Sequence, residues 1–198
     1  MNNFTSIGKK IVAIGRNFSD HAKELGSTVP TSPIFFLKPT SSYLLQGGSV
    51  EVPKGSEVHH EGYALGIDMT ARDLQTEAIK KGLPWSAAKG FDTFTPIGDF
   101  IPKDLIKDPS NVNLWLKVNN QMKQNGSTKE MVFKIPTLIE HVSSIMRLEK
   151  GDLILTGTPA GVGPIFAGDV ITAGLNVGDK TLSQIEFPVV QRNRLNKL

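Results

Sequence analysis

Residues 59–75 read HHEGYALGIDMTARDLQ, which sets two histidines, the carboxylates of Glu61 and Asp68, an arginine and a glutamine close together. Asp68 sits in an apolar run with Ala64, Leu65, Ile67 and Met69, the pattern of a buried strand. A carboxylate in such a place needs a partner, because leaving water is costly for the charged form. Two acids side by side suit a hard cation. The stretch equally admits a carboxylate that caps the next helix or pairs with Arg72. That helix is expected over residues 71–81. Thr70 and Asp73 have the spacing of a capping box, and Gly82 and Pro84 end the helix. Arg72 and Gln75 share its first-turn face, directly above Asp68.

Toward the N-terminus, residues 10–14 (KIVAI) form a buried strand ending at Gly15, with Arg16 and Asn17 where polar groups face a pocket. In residues 19–26 (SDHAKELG), Ser19 or Asp20 serves as N-cap, Gly26 as the stop, and His21 and Glu24 lie on one face. A helix this short needs tertiary support. It is a candidate lid over a bound ligand, the plainer alternative being a surface turn with a solvated His–Glu pair. Residues 33–39 (PIFFLKP) make a second buried strand that ends at Lys38. Residues 41–53 then supply a connection and an edge strand, with a turn at Gly47-Gly48.

Toward the C-terminus, Lys89 lies in a loop whose Gly and Ala neighbours let it point inward. Residues 113–126 form a hairpin turning at Asn119-Asn120. Pro136 opens a helix with apolar Leu138, Val142, Ile145 and Met146. Residues 151–164 (GDLILTGTPAGVGP) are a strand and a glycine-rich loop that is neither a Walker A loop nor GxGxxG. The loop either offers backbone N–H groups and the Thr158 hydroxyl to an anion or makes a tight turn. Two short strands follow, punctuated by Gly168-Asp169 and Gly178-Asp179.

The chain has 198 residues, 39% hydrophobic and 21% charged, enough for a core in one domain. Its 19 glycines and 12 prolines point to a β-rich fold with many turns. A net charge of +3 without a basic block argues against nucleic acid as a partner. No apolar run approaches the roughly 20 residues that cross a bilayer, so a membrane is not expected either. The absence of cysteine excludes disulfides and zinc–thiolate sites. The first residues carry no signal-peptide core and are short for a transit peptide.

In order along the chain, GRNFSDHAKEL, FFLKPTSSY, HHE, GYALGIDMTARDLQ, KKGLPWSAAKGFDTFTP, LWLKVN and GDLILTGTPAGVGP resemble the fumarylacetoacetate hydrolase family. The likeness is to its small acylpyruvase, oxaloacetate decarboxylase and oxaloacetate tautomerase members. It implies an α+β, β-rich fold of mixed β-roll or β-sandwich type with a few flanking helices, one domain over residues 1–198, residues 1–8 being a flexible tail. It implies Mg²⁺ or Mn²⁺ held by Glu61 and Asp68, and a lid whose His21 and Glu24 activate water or move a proton. Lys89 is implied at the enolate oxygen, and Arg16, Arg72, Gln75 and Thr158 at the carboxylate and oxo groups of a small 2-oxo acid substrate. A homodimer and a mitochondrial location are implied too, with a cytosolic location open. The chemistry suits these residues, since each reaction passes through an enolate that positive charge stabilises.

One departure stands out. The family's motif is HHE-x-E, and its second Glu is the third metal ligand. Here HHE runs straight into GYAL, and Tyr63 stands in that Glu's place. About two dozen residues are missing by this reading, the length of one strand and one crossover. Glu61 and Asp68 are seven apart, so on one continuous strand they face opposite ways unless a bulge at Gly62 or Gly66 resets the register. The alternative to an active enzyme is therefore an impaired isoform or paralogue that binds carboxylates or pairs with full-length subunits.

Overall fold

The structure is a computed structural model. It describes residues 4–24, 26, 28–52, 58–59, 62–63, 65–149 and 151–192. The fold is α+β and β-rich. Five strands form the larger sheet, in the order Gln121–Ser127, Asn113–Val118, Val170–Val177, Lys180–Gln191, Val50–Val52; the last pair is parallel and the others antiparallel. Along Asn113–Val118 burial alternates, so Leu114, Leu116 and Val118 face the core with Ile171, Leu175, Ile185 and Phe187. Asn119 and Asn120 both take positive φ at the hairpin turn, as asparagine tolerates. The closing strand, Lys180–Gln191, is twelve residues long rather than the short one expected.

A three-stranded sheet carries the N-terminal half of the site. Ile11–Gly15 lies at its centre, parallel to Leu153–Leu155 and antiparallel to Ile34–Lys38. The helix Ile135–Ser143, with Pro136 in its first turn, packs Leu138 and Val142 on Val12 and Ile14. Ile145 points outward instead. Ile34–Lys38 is an edge strand with Ile34 and Leu37 exposed, not the buried strand its composition suggests. Residues 4–7, placed in a tail by sequence, form a short helix with Phe4 edge-on to Tyr43.

Because Ile11–Gly15 and Leu153–Leu155 run parallel, the segments following them emerge side by side. Asn17 ties them together. Its fully buried amide donates to the carbonyls of Phe133 and Thr156 and accepts from the Phe133 N–H. We expect Asn17→Ala to lower unfolding free energy in urea titration by about 2–3 kcal/mol, since one buried and two half-buried backbone groups lose their partner.

Candidate active site

Asp68 lies between two lysines. Lys38 Nζ is 2.7 Å from one carboxylate oxygen and Lys89 Nζ is 2.7 Å from the other. All three side chains are buried. Lys38 also donates to the carbonyl of Phe94 at 2.7 Å, and Lys89 stands 4.5 Å from the centre of the Phe36 ring. Burial alone would push the Asp68 carboxyl up; the charges and hydrogen bonds of Lys38 and Lys89 outweigh it and hold the group below the usual carboxylate range. The partner of Asp68 is thus neither Arg72 nor a helix terminus. Lys38, thirty residues away, was not among the sequence candidates. Its one local sign was a lysine closing an apolar strand before a proline.

The backbone around Asp68 differs from the strand expected there. Gly62–Tyr63 pairs antiparallel with Gly66–Ile67, so the chain reverses between Tyr63 and Gly66, with Leu65 at φ +57°. The seven-residue spacing of Glu61 and Asp68 therefore does not follow continuous-strand parity. Glu61 lies outside the described residues. The helix beyond spans Arg72–Lys80, with Gly82 at φ +65° after it. Thr70 does not cap it: the N-cap is Ala71, with no side-chain bond, and the Thr70 hydroxyl is buried without a partner among the described residues. Thr70 belongs instead to the strand Thr70–Ala71.

Arg72 and Gln75 do meet. Arg72 Nη1 donates to Gln75 Oε1 at 2.6 Å, while Nε and Nη2 are buried with no partner among the described residues. Those two atoms form one edge of the guanidinium, the edge that grips a carboxylate with two parallel bonds. Lys89 ends the short helix Ser86–Lys89 rather than sitting in a loop, and it does point inward.

A second group surrounds the candidate lid. Ser19–Glu24 is helical, and Gly26 follows it at φ +63°. His21 is 3% exposed, so the pair is not a solvated surface turn, and its Nδ1 is 3.3 Å from Glu24 Oε2. Thr158 is buried in the glycine-rich loop and accepts from Gln124 Nε2 at 2.8 Å. Arg16, in the left-handed region at φ +56°, makes no side-chain hydrogen bond or ion pair among the described residues. Lys38 pairs with Ile11, while Arg16 and the lid follow Gly15, so the two groups hang from different parts of one strand.

Among the described residues, no three His, Asp or Glu side chains gather to hold a metal ion. Asp68 offers an ionised carboxylate with one lone pair per oxygen beyond its lysine, which admits a cation. The two ammoniums repel one. The donor set therefore suits a divalent ion only with further oxygens from Glu61, water or substrate.

The pattern for "Fumarylacetoacetate (FAA) hydrolase C-terminal" matches this chain over residues 10–62 and 57–190. "Oxaloacetate decarboxylase, mitochondrial" of Dictyostelium discoideum is 50% identical over 220 positions, covering 98% of this chain and all of that one. "Oxaloacetate tautomerase FAHD1, mitochondrial" of Arabidopsis thaliana is 49% identical over 93% of this chain and 92% of its own length. Among solved structures, yeast ynq8, a fumarylacetoacetate hydrolase family protein, superposes with a TM-score of 0.88 at 31% identity, over 99% and 98% of the two chains. A fumarylpyruvate hydrolase from Pseudomonas aeruginosa, in complex with Mn²⁺ and pyruvate, superposes at 0.84 with 27% identity over 93% and 91%. An alignment of 220 positions with a chain of 198 residues leaves at least 22 positions without a counterpart here. The family match breaks at residues 57–62, where the missing segment was expected.

Asp68→Asn would leave two buried ammoniums facing a neutral amide. We expect it to destabilise the fold by about 3–5 kcal/mol in urea titration at pH 7. The folded carboxyl is held below its unfolded value of ~3.9, so its stabilisation is complete above that value and drains as pH falls through the folded one. The gap between parent and Asp68→Asn should narrow accordingly in acid.

Proposed function

Because the chain belongs to the fumarylacetoacetate hydrolase family of enzymes, we propose that it acts on short 2-oxo acids through an enolate. The reactions are enol–keto conversion of oxaloacetate, decarboxylation of oxaloacetate, and hydrolysis of acylpyruvates. The 198 residues act as one catalytic domain, in mitochondria, where the relatives' names place those proteins.

The supporting observation is the Nε–Nη2 edge of Arg72, buried without a partner among the described residues, four positions along the chain from the carboxylate that Lys38 and Lys89 grip. Among the described residues Asp68 meets two ammoniums and Arg72 adds a third cation nearby in sequence, a balance that suits a dianionic acid. Arg72, held by Gln75, takes the substrate carboxylate, with Arg16 and Thr158 on its other oxygens. Lys89 stands at the 2-oxo oxygen and stabilises the negative charge that develops there.

In enol–keto conversion, the enol O–H loses its proton and C3 gains one; His21, oriented by Glu24, moves that proton. In decarboxylation the C3–C4 bond breaks, CO₂ leaves, its electron pair forms the enolate, and C3 is then protonated. In hydrolysis His21 takes a proton from water, whose oxygen attacks the distal carbonyl. The C–C bond breaks and the pyruvate enolate departs. Mg²⁺ or Mn²⁺, which Glu61 and Asp68 would hold together with water and substrate oxygens, supplies a Lewis acid for the enolate when bound.

A second reading rests on Tyr63 and the missing positions: an impaired chain that binds carboxylates or pairs with full-length subunits. On the first reading the chain forms a homodimer.

Steady-state assays with enol-oxaloacetate, oxaloacetate and acetylpyruvate, with Mg²⁺ and with EDTA, separate the two. The first reading expects turnover, reduced by EDTA, and a loss of about 10²–10³ in kcat for Lys89→Met. No turnover in the parent favours the second reading, and unchanged rates in Lys89→Met and Glu61→Ala overturn the first. Calorimetric titration should give Mg²⁺ affinity weaker than micromolar, because two ammoniums face the same carboxylate; micromolar binding or tighter would mean the ligand set is complete.

A further inference from the structure

The strand Gln121–Ser127 carries an irregularity that the chemistry above does not use. Gln124 pairs with Leu116 and Met122 with Lys117, so Lys123 is an extra residue bulging from the ladder. Bulges re-aim side chains and backbone beside functional sites. Here the bulge meets the glycine-rich loop at two points. The buried Gln124 amide donates to Thr158 Oγ1 at 2.8 Å and to the Pro159 carbonyl at 2.7 Å. The Lys123 carbonyl lies against Gly161, where a Cβ would stand 1.8 Å from its oxygen. Gly161 also has φ +99°, so glycine alone fits there.

The loop held in this way turns one N–H outward. Gly161 N–H is shared between the two carboxylate oxygens of Glu24, at 3.1 and 3.2 Å. Glu24 in turn faces His21 Nδ1. A continuous line of contacts therefore runs from the bulge through the loop to the lid.

We propose that Gln124 and Gly161 are positioning residues that latch the lid: Gln124 locks the loop so that the Gly161 N–H holds Glu24, and through Glu24 aims His21. This rests on the enolate reading for its kinetic consequence but not for the latch itself. A carboxylate gripping a fixed N–H is a charge-assisted bond, stronger than a neutral one, and it sets the lid without closing it permanently. The six-residue lid helix is too short to keep that orientation by itself.

The test uses the full chain without ligand, comparing the parent with Gln124→Met and with Glu24→Ala. Gln124→Met keeps the volume and removes the donor. Glu24→Ala changes a partly exposed side chain and leaves the core alone. Amide hydrogen exchange, followed by NMR, reads the latch. The Gly161 amide should exchange about tenfold faster in both variants, and the Ala22 amide, bonded to the Phe18 carbonyl, should follow. In oxaloacetate tautomerisation, Gln124→Met should lower kcat about tenfold and raise KM by less than that, because the aim of His21 suffers while Arg72 keeps its grip and only the Thr158 contact loosens. Unchanged exchange at Gly161 in both variants overturns the latch, as does a rate loss that only tracks loss of folded protein. An inactive parent would sink the enolate reading, and the exchange data would still decide the latch.

Discussion

The carboxylate of Asp68 between the ammoniums of Lys38 and Lys89 is the contact on which the rest depends. It joins three pieces of chain far apart in sequence: the end of Ile34–Lys38, the segment leading into the helix Arg72–Lys80, and the short helix Ser86–Lys89. None of these charges is tolerable alone at its burial, whereas together they satisfy one another. The Phe94 carbonyl adds a further acceptor for Lys38, and the face of Phe36 shelters Lys89. Such a cluster has little freedom to rearrange, which is what a site that must meet developing charge requires. Among the described residues the cluster sets two positive charges against one negative. On the proposed reading that balance draws an anion and makes the same carboxylate a reluctant ligand for a cation.

Local pattern reached a good part of this. The central strand, the hairpin turning on two asparagines, the Pro136 helix and the stop at Gly82 follow from periodicity and from residues whose backbone preferences are narrow. So do the pairings within one helical turn, His21 with Glu24 and Arg72 with Gln75. The failures have a common cause in contacts at long range. The partners of Asp68 lie 30 and 21 residues away, so no window around it could show them. Thr70 has the spacing of a cap, but strand pairing with residues 58–59 draws it into the sheet and leaves its hydroxyl without the helix. Residues 34–38 are apolar enough for a core strand, yet none of the described strands pairs beyond them in the sheet, and Leu37 remains 47% exposed. The bulge at Lys123 has no signature in composition at all.

The parallel pairing of Ile11–Gly15 with Leu153–Leu155 brings the helix Ser19–Glu24 and the glycine-rich loop to one edge, where they touch. Parallel strands release their following segments at the same edge, where loops can converge on a ligand. Asn17 stitches the two exits just beyond the sheet, and Gly157 packs closely on Asn17 and Phe18. The Phe18 side chain is buried at the start of the lid, which gives so short a helix its anchor. The helix Ser19–Glu24 is therefore anchored by a core residue at one end and tied by the Glu24 carboxylate to Gly161 at the other.

The missing positions fall between these two constructions without dismantling either. The larger sheet keeps a continuous ladder, with both edges of Asn113–Val118 paired. The ion cluster draws on residues at 38, 68 and 89, and the lid on 21, 24 and 161. What the resemblance expects at Tyr63 is a third anionic oxygen, and on that reading its absence alters the charge balance rather than the described frame. On the proposed reading, a cluster that lacks an acid holds a metal ion less well. Because that ion would also take the substrate's oxygens, weaker metal binding loosens one hold on the substrate while Arg72 keeps another. Both effects follow from Coulomb's law at the positions of two lysines.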